Sequence, residues 1–179
     1  MQEADVFMVL AEIAGVFVGF GALIAVRSGG ASDATDVWYL RWVLSIGVWV
    51  VVVALVPVVL GAYDIAERDV WFVCSLAALA GWVLASVGND RAPETRQSIA
   101  AMSRAQMVRE SAIIWLLWFP MVGALVLIVL GLFPEQDAAL YLTAVVLGLF
   151  LAAWTLVALV FMHRAPTTAA SDEAEQPAE

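Results

Sequence analysis

One acidic residue, Glu12, stands inside a stretch that is otherwise apolar over the length of a membrane span, residues 6–26. A carboxyl group in hydrocarbon must pair with a base, reach water or take up a proton, because an isolated charge there is very costly. A carboxyl group that can exchange protons or bind a cation in this way could form part of a proton or cation pathway. The alternative is a carboxyl group that is hydrogen-bonded only for packing, and the sequence leaves both readings open.

The polar residues expected to meet Glu12 are those at the same depth in neighbouring spans. With a helical rise of about 1.5 Å per residue, Cys74 and Ser75 of the third span and Tyr141 and Thr143 of the fifth lie near its level. Glu12, Ser75 and Thr143 therefore form a candidate intramembrane polar site. Arg41 has the opposite charge, but it lies near the other end of the second span, roughly 15 Å away in depth.

Arg41 is expected to act as an interfacial anchor, with its apolar stem in hydrocarbon and its guanidinium group among the lipid headgroups. The alternative is an ion pair with Glu110, which lies at the same end of the fourth span. We name Arg41 and Glu110 as a candidate ion pair on the inner face of the membrane.

Small residues recur at every fourth position of the first span, at Ala11, Gly15 and Gly19. Such a ridge lets another helix backbone approach closely, which is how helices pack in lipid. The third and fifth spans repeat this spacing around Gly81 and Gly148. The pattern predicts that spans one, three and five pack together, with chance repetition of common residues as the alternative for the last two.

Several kinds of chemistry are excluded by residue counts. The chain has one cysteine, Cys74, and one histidine, His163, so an intrachain disulfide, a CxxC motif and a paired-histidine zinc motif cannot form. No glycine-rich phosphate loop, HExxH or GxSxG motif occurs. We therefore predict that the protein is not an enzyme, has no cofactor and binds no nucleic acid.

These residues must be positioned by long apolar helices, since 64% of the 179 residues are hydrophobic against about 45–50% in soluble domains. A span needs roughly 20 apolar residues, and five stretches qualify: 6–26, 37–63, 70–87, 112–133 and 138–162. The sequence predicts an all-α polytopic membrane helix bundle over residues 1–165. The acidic tail, residues 166–179, has the composition of a disordered segment.

Two features interrupt this pattern of spans. Pro57 removes one backbone donor from the second span, which membrane helices tolerate when a neighbour satisfies the freed carbonyl group. Residues 88–111 are polar, and we interpret them as a surface helix that either stands apart or runs into the fourth span.

The basic residues predict the orientation of the bundle. All eight are arginine, and placing the N-terminus outside puts seven of them on the cytoplasmic side, with Arg68 alone outside. The tail is then cytoplasmic. Four arginines fall in the polar stretch: Arg91, Arg96, Arg104 and Arg109. They are expected chiefly to set this orientation, with anionic lipid as their alternative partner.

The sequence thus indicates a multi-pass protein of the inner cell membrane, and its lack of lysine suggests a bacterial source. The leading hypothesis is a non-enzymatic membrane packing or assembly component, or a homo-oligomer. The alternative is a small channel or transporter with a pathway passing Glu12. A membrane enzyme is the weakest hypothesis, because catalysis inside the bilayer would need at least two cooperating polar groups, and Glu12 is the one charged residue that lies clearly within a span.

Overall fold

The computed structural model describes residues 2–27, 34–63, 66–93, 95 and 104–162. Five long helices cover most of this part of the chain: α1 (Gln2–Arg27), α2 (Ala34–Leu60), α3 (Glu67–Asp90), α4 (Arg104–Leu130) and α5 (Asp137–Met162). A single 3-10 turn, Pro134–Gln136, precedes α5. All five helices are long and apolar enough to cross a membrane. The prediction of an all-helical bundle with five candidate spans is confirmed.

Each helix begins before the apolar stretch that predicted it, whereas α2 ends at Leu60 rather than at residue 63 and α4 ends at Leu130 rather than at residue 133. α3 continues to Asp90, and α4 already begins at Arg104, so residues 104–111 of the polar stretch belong to the helix of the fourth span. Helical hydrogen bonding does not stop where hydrocarbon ends, and arginine, alanine and glutamine are good helix formers. Residues 96–103 and the tail, residues 166–179, lie outside the described residues.

Successive helices run in opposite directions, so the N-terminal ends of α1, α3 and α5 meet. The ring of Phe7 lies 6.1 Å from that of Trp71 and 5.8 Å from that of Tyr141, between centroids. At the opposite end, the ring of Trp42 lies 6.3 Å from that of Trp82. We call these two ends of the bundle the Phe7 end and the Trp42 end.

The central helix is α2, which packs against α1, α3 and α5. Of the residues in its most apolar stretch, 44% are buried within the bundle, against 22% of those in the corresponding stretch of α1. The indole nitrogen of Trp49 donates a hydrogen bond to the carbonyl oxygen of Ala78, 2.9 Å away. The same ring lies against Gly81 of α3 and Gly148 of α5. The small residues of spans three and five therefore make room for a side chain of α2.

Pro57 lies within α2 and cannot donate to the carbonyl group of Val53, which a helix would pair with the backbone N–H at position 57. The hydroxyl group of Tyr141 donates to that carbonyl oxygen instead, over 2.8 Å. Both residues are buried. A side chain of α5 thus satisfies the group that Pro57 frees, as a helix in lipid requires.

Candidate functional site on the outer face of the first helix

One row of residues on α1, spaced alternately by four and three positions, faces the bundle and is buried except at the half-buried Val18. We call it the inner row: Phe7, Ala11, Ala14, Val18 and Gly21. Its neighbours are α2 and α5. The contact with α2 is close, because a Cβ atom added at Gly47 would lie 2.6 Å from the Val18 side chain. This spacing is that of helices which cross at a small angle with interlocking side chains.

A second row on α1 has the same alternation but no neighbour within the described chain. We call it the outer seam: Met8, Glu12, Gly15, Gly19, Ala22 and Val26, all of them exposed. Each outer-seam residue from Met8 to Ala22 directly follows an inner-row residue, so the seam lies about 100° around the helix. A Cβ atom added at Gly15 or Gly19 would meet nothing within 4 Å.

The ridge named from the sequence divides between these two rows. Ala11 is 8% exposed and belongs to the core, whereas Gly15 and Gly19 are on the outside. The physical reason is that each four-residue step advances about 40° around a helix, so an unbroken every-fourth pattern drifts off any one face. The prediction that the two glycines pack against protein concerns contacts beyond this chain, and it stays a prediction.

The structure does not bring Glu12, Ser75 and Thr143 together. Glu12 points away from the bundle, whereas Ser75 is fully buried, and its hydroxyl group has no hydrogen-bond partner among the described residues. The Thr143 hydroxyl group donates to the carbonyl oxygen of Ala139 on its own helix, over 2.8 Å, a common arrangement for threonine within a helix. Depth along the membrane carried no information about which face of its helix each residue occupies.

Arg41 has a structural partner at the Trp42 end. Its guanidinium group donates to the carbonyl oxygen of Gly88 over 3.2 Å. That oxygen belongs to the last turn of α3, where carbonyl groups lack partners within the helix and a cation is favoured. The side chain of Glu110 lies outside the described residues, so the ion pair of Arg41 with Glu110 stays a prediction.

The four arginines of the polar stretch are placed only in part. Arg91 is exposed just beyond the end of α3. The side chains of the other three, Arg96, Arg104 and Arg109, lie outside the described residues. Among the residues that the structure does describe, no group of three or more His, Cys, Asp or Glu side chains could hold a metal ion.

Two features of the structure were not predicted from the sequence. One is that Met8, Ala22 and Val26 share a row with Glu12, although alternating four- and three-residue steps would have found them. The other, apart from the outer seam, is a cavity of about 490 Å³ at the Phe7 end, whose lining includes Phe7 and Trp71. Only contacts between helices reveal that cavity, because its lining comes from three separate spans.

The outer seam offers a surface that includes the small residues Gly15, Gly19 and Ala22, with one carboxyl group, that of Glu12, toward its N-terminal end. In a bilayer this surface faces lipid unless another helix covers it. Small residues allow close approach, and a polar side chain supplies a hydrogen bond between helices, so the arrangement is suited to holding a helix. Comparisons of the chain with protein-family models, curated proteins and solved structures find no match.

Proposed function

We propose that the protein is a non-enzymatic assembly component of the membrane, and that its outer seam binds another transmembrane helix. The observation that supports this is the position of Glu12, Gly15 and Gly19 on one exposed row of a helix that is long and apolar enough to span a membrane. A lipid-facing surface has no need of these residue types. A glycine within a helix costs about 1 kcal/mol relative to alanine, and a carboxyl group in hydrocarbon costs more.

The other exposed faces of the bundle have a different character. Leu84 of α3 and Leu116 and Phe119 of α4 are large, apolar and well exposed, as lipid contacts are. Helix association in lipid gains little from hydrophobicity, since lipid tails are as apolar as leucine. It depends on close packing and hydrogen bonds, and the outer seam of α1 provides the residues for both.

Footprinting in native membranes tests whether a helix covers the seam. An apolar diazirine, activated by light and read out by mass spectrometry, inserts into side chains that lipid can reach. We expect strong labelling at Val52 and Leu84, which are 53% and 74% exposed. We expect protection at Met8 and Val26 of the outer seam, which are 49% and 80% exposed in the isolated chain. Equal labelling of both groups would show that lipid covers the seam and would reject the proposal.

The proposed orientation has the N-terminus outside the cytoplasm and the tail inside, in the inner membrane of a bacterium. It is supported by the seven-to-one distribution of arginines. We expect a membrane-impermeant maleimide, added to intact cells, to label Ala4→Cys in a Cys74→Ala background. Ala170→Cys should be labelled only after lysis. Labelling of Ala170→Cys in intact cells would reverse the orientation and leave the rest of the proposal standing.

A small channel or transporter is the alternative function. Because Glu12 is exposed on the outside of the bundle, a pathway that passes it would run between copies of the chain. Such a pathway would itself need an assembly of several copies, so the outer seam is the surface to test first under either function.

A further inference from the structure

We propose that the helix bound to the outer seam is α1 of a second copy of this chain, in a parallel pair joined by a hydrogen bond between the two Glu12 carboxyl groups. This inference rests on the proposed function, since it names the partner of the same surface. It follows from the chemistry of Glu12, the spacing of the seam and the symmetry of two copies in one membrane.

Glu12 needs a partner that the described chain does not supply. Among the described residues it has no hydrogen bond or ion pair. The guanidinium group of Arg41 donates to Gly88 at the Trp42 end, and that of Arg68 lies against Gly131 at the end of α4. Since the described residues supply no partner for Glu12, we look for one in another chain.

A second Glu12 meets this need by symmetry. Copies inserted in the same orientation can pair their first helices only in parallel, so residues of equal number lie at equal depth across a two-fold axis. A carboxyl group that carries its proton is both donor and acceptor, and one that does not is an acceptor. Two facing carboxyl groups that share protons therefore satisfy each other, whereas an unrelated helix would have to bring its own donor to this depth.

The spacing of the seam fits a helix pair of small crossing angle. Steps of four and three residues place Gly15, Gly19 and Ala22 along one stripe, where they let the two backbones approach. α1 already makes one close contact through its inner row, where the Val18 side chain lies against Gly47 of α2. Because the two rows lie about 100° apart, α1 can hold α2 and a second α1 at once.

Cross-linking of the purified full-length protein in liposomes tests the pairing. In a Cys74→Ala background, we expect mild oxidation to link Ala22→Cys into a covalent dimer and to leave Val52→Cys, on the exposed face of α2, unlinked. Dilution of the protein in lipid separates true pairing from random collision, because only collisional linking falls in proportion to protein density. Equal linking at both positions, or none at Ala22→Cys, would overturn the proposal.

Energy transfer between donor- and acceptor-labelled copies measures the strength of the pair. We expect Glu12→Gln, which keeps a donor and an acceptor, to dimerise as the unmodified protein does. Glu12→Ala should weaken the dimer about tenfold, since an interhelical hydrogen bond in lipid is worth roughly that factor. Gly19→Leu should abolish dimerisation while the matched Gly88→Leu, at another exposed glycine with open space around it, leaves it unchanged.

The bundle of each variant is expected to stay folded, because a side chain added at Gly19 meets nothing within 4 Å. Unchanged transfer in both Glu12→Ala and Gly19→Leu would overturn the proposed pair. A seam that is protected in native membranes, in a protein that is monomeric when pure, would mean that another protein is the partner. That result rejects the second copy and retains the proposed function, whereas a seam open to lipid in native membranes rejects both.

Discussion

Replacing Trp49 by alanine is expected to lower the free energy of unfolding by about 3–5 kcal/mol, as truncation of a buried tryptophan does. The ring of Trp49 fills the space between α2, α3 and α5, where it contacts Gly81 and Gly148. It also lies 5.4 Å from the ring of Trp82 in an edge-on arrangement. Since the neighbours at Gly81 and Gly148 are glycines, no side chain is available there to move into the cavity.

Reversible unfolding in mixed micelles measures this loss when it is followed by far-UV circular dichroism, which reports helix content and does not rely on tryptophan fluorescence. The matched control is Trp115→Ala, because Trp115 is 50% exposed on α4. Among the described residues its ring contacts aromatic rings of its own helix, those of Trp118 and Phe119. We expect the control to change the free energy of unfolding by less than about 1 kcal/mol. Similar losses at the two positions would contradict the central role of Trp49.

Replacing Tyr141 by phenylalanine is expected to cost about 1–3 kcal/mol, because the carbonyl group of Val53 is then left without a donor in a buried site. The size of the loss should depend on Pro57. In a Pro57→Ala background the backbone N–H of residue 57 can donate to Val53, as in an uninterrupted helix. There we expect Tyr141→Phe to cost only a few tenths of a kcal/mol.

A double-mutant cycle of unfolding free energies isolates this coupling, since the two residues act on one carbonyl group and their effects should not add. Tyr141→Phe keeps the ring, which retains its contact with Phe7, 5.8 Å away between centroids. The cycle therefore reports on the hydroxyl group alone. An equal cost of Tyr141→Phe in both backgrounds would show that Tyr141 stabilises the bundle by some means other than the Val53 hydrogen bond.

The five spans were predictable because length and hydropathy are properties of a local stretch of sequence. The facing of a residue is not local in that sense. In a span that is apolar on every side, the sequence does not mark which face meets a neighbouring helix. Glu12 and Ser75 were therefore expected to meet, whereas Glu12 is exposed and Ser75 is fully buried. A soluble amphipathic helix would have shown its buried side by the polar residues opposite.

The small-residue ridges show a second limit of the sequence. The spacing around Gly81 and Gly148 predicted that spans one, three and five approach one another there, but a side chain of the second span occupies that place. Both glycines face Trp49, a residue of a different span that no spacing rule connects to them. The role of Pro57 was foreseeable in kind, since a freed carbonyl group needs a donor in lipid, but Tyr141 was identifiable only from the packed structure.

The hydrogen bond from Tyr141 to Val53 joins residues that are 88 positions apart, and this separation governs how the protein is made. During synthesis α2 enters the membrane long before α5 exists, and until then the Val53 carbonyl group must be satisfied by water or by the insertion machinery. The same delay applies to Trp49, whose ring is covered in part by Gly148 of α5. In a chain that lacks α5, the Val53 carbonyl group would have no donor from Tyr141, and the ring of Trp49 would lack its cover at Gly148. α5 is therefore the helix that completes the interior of the bundle.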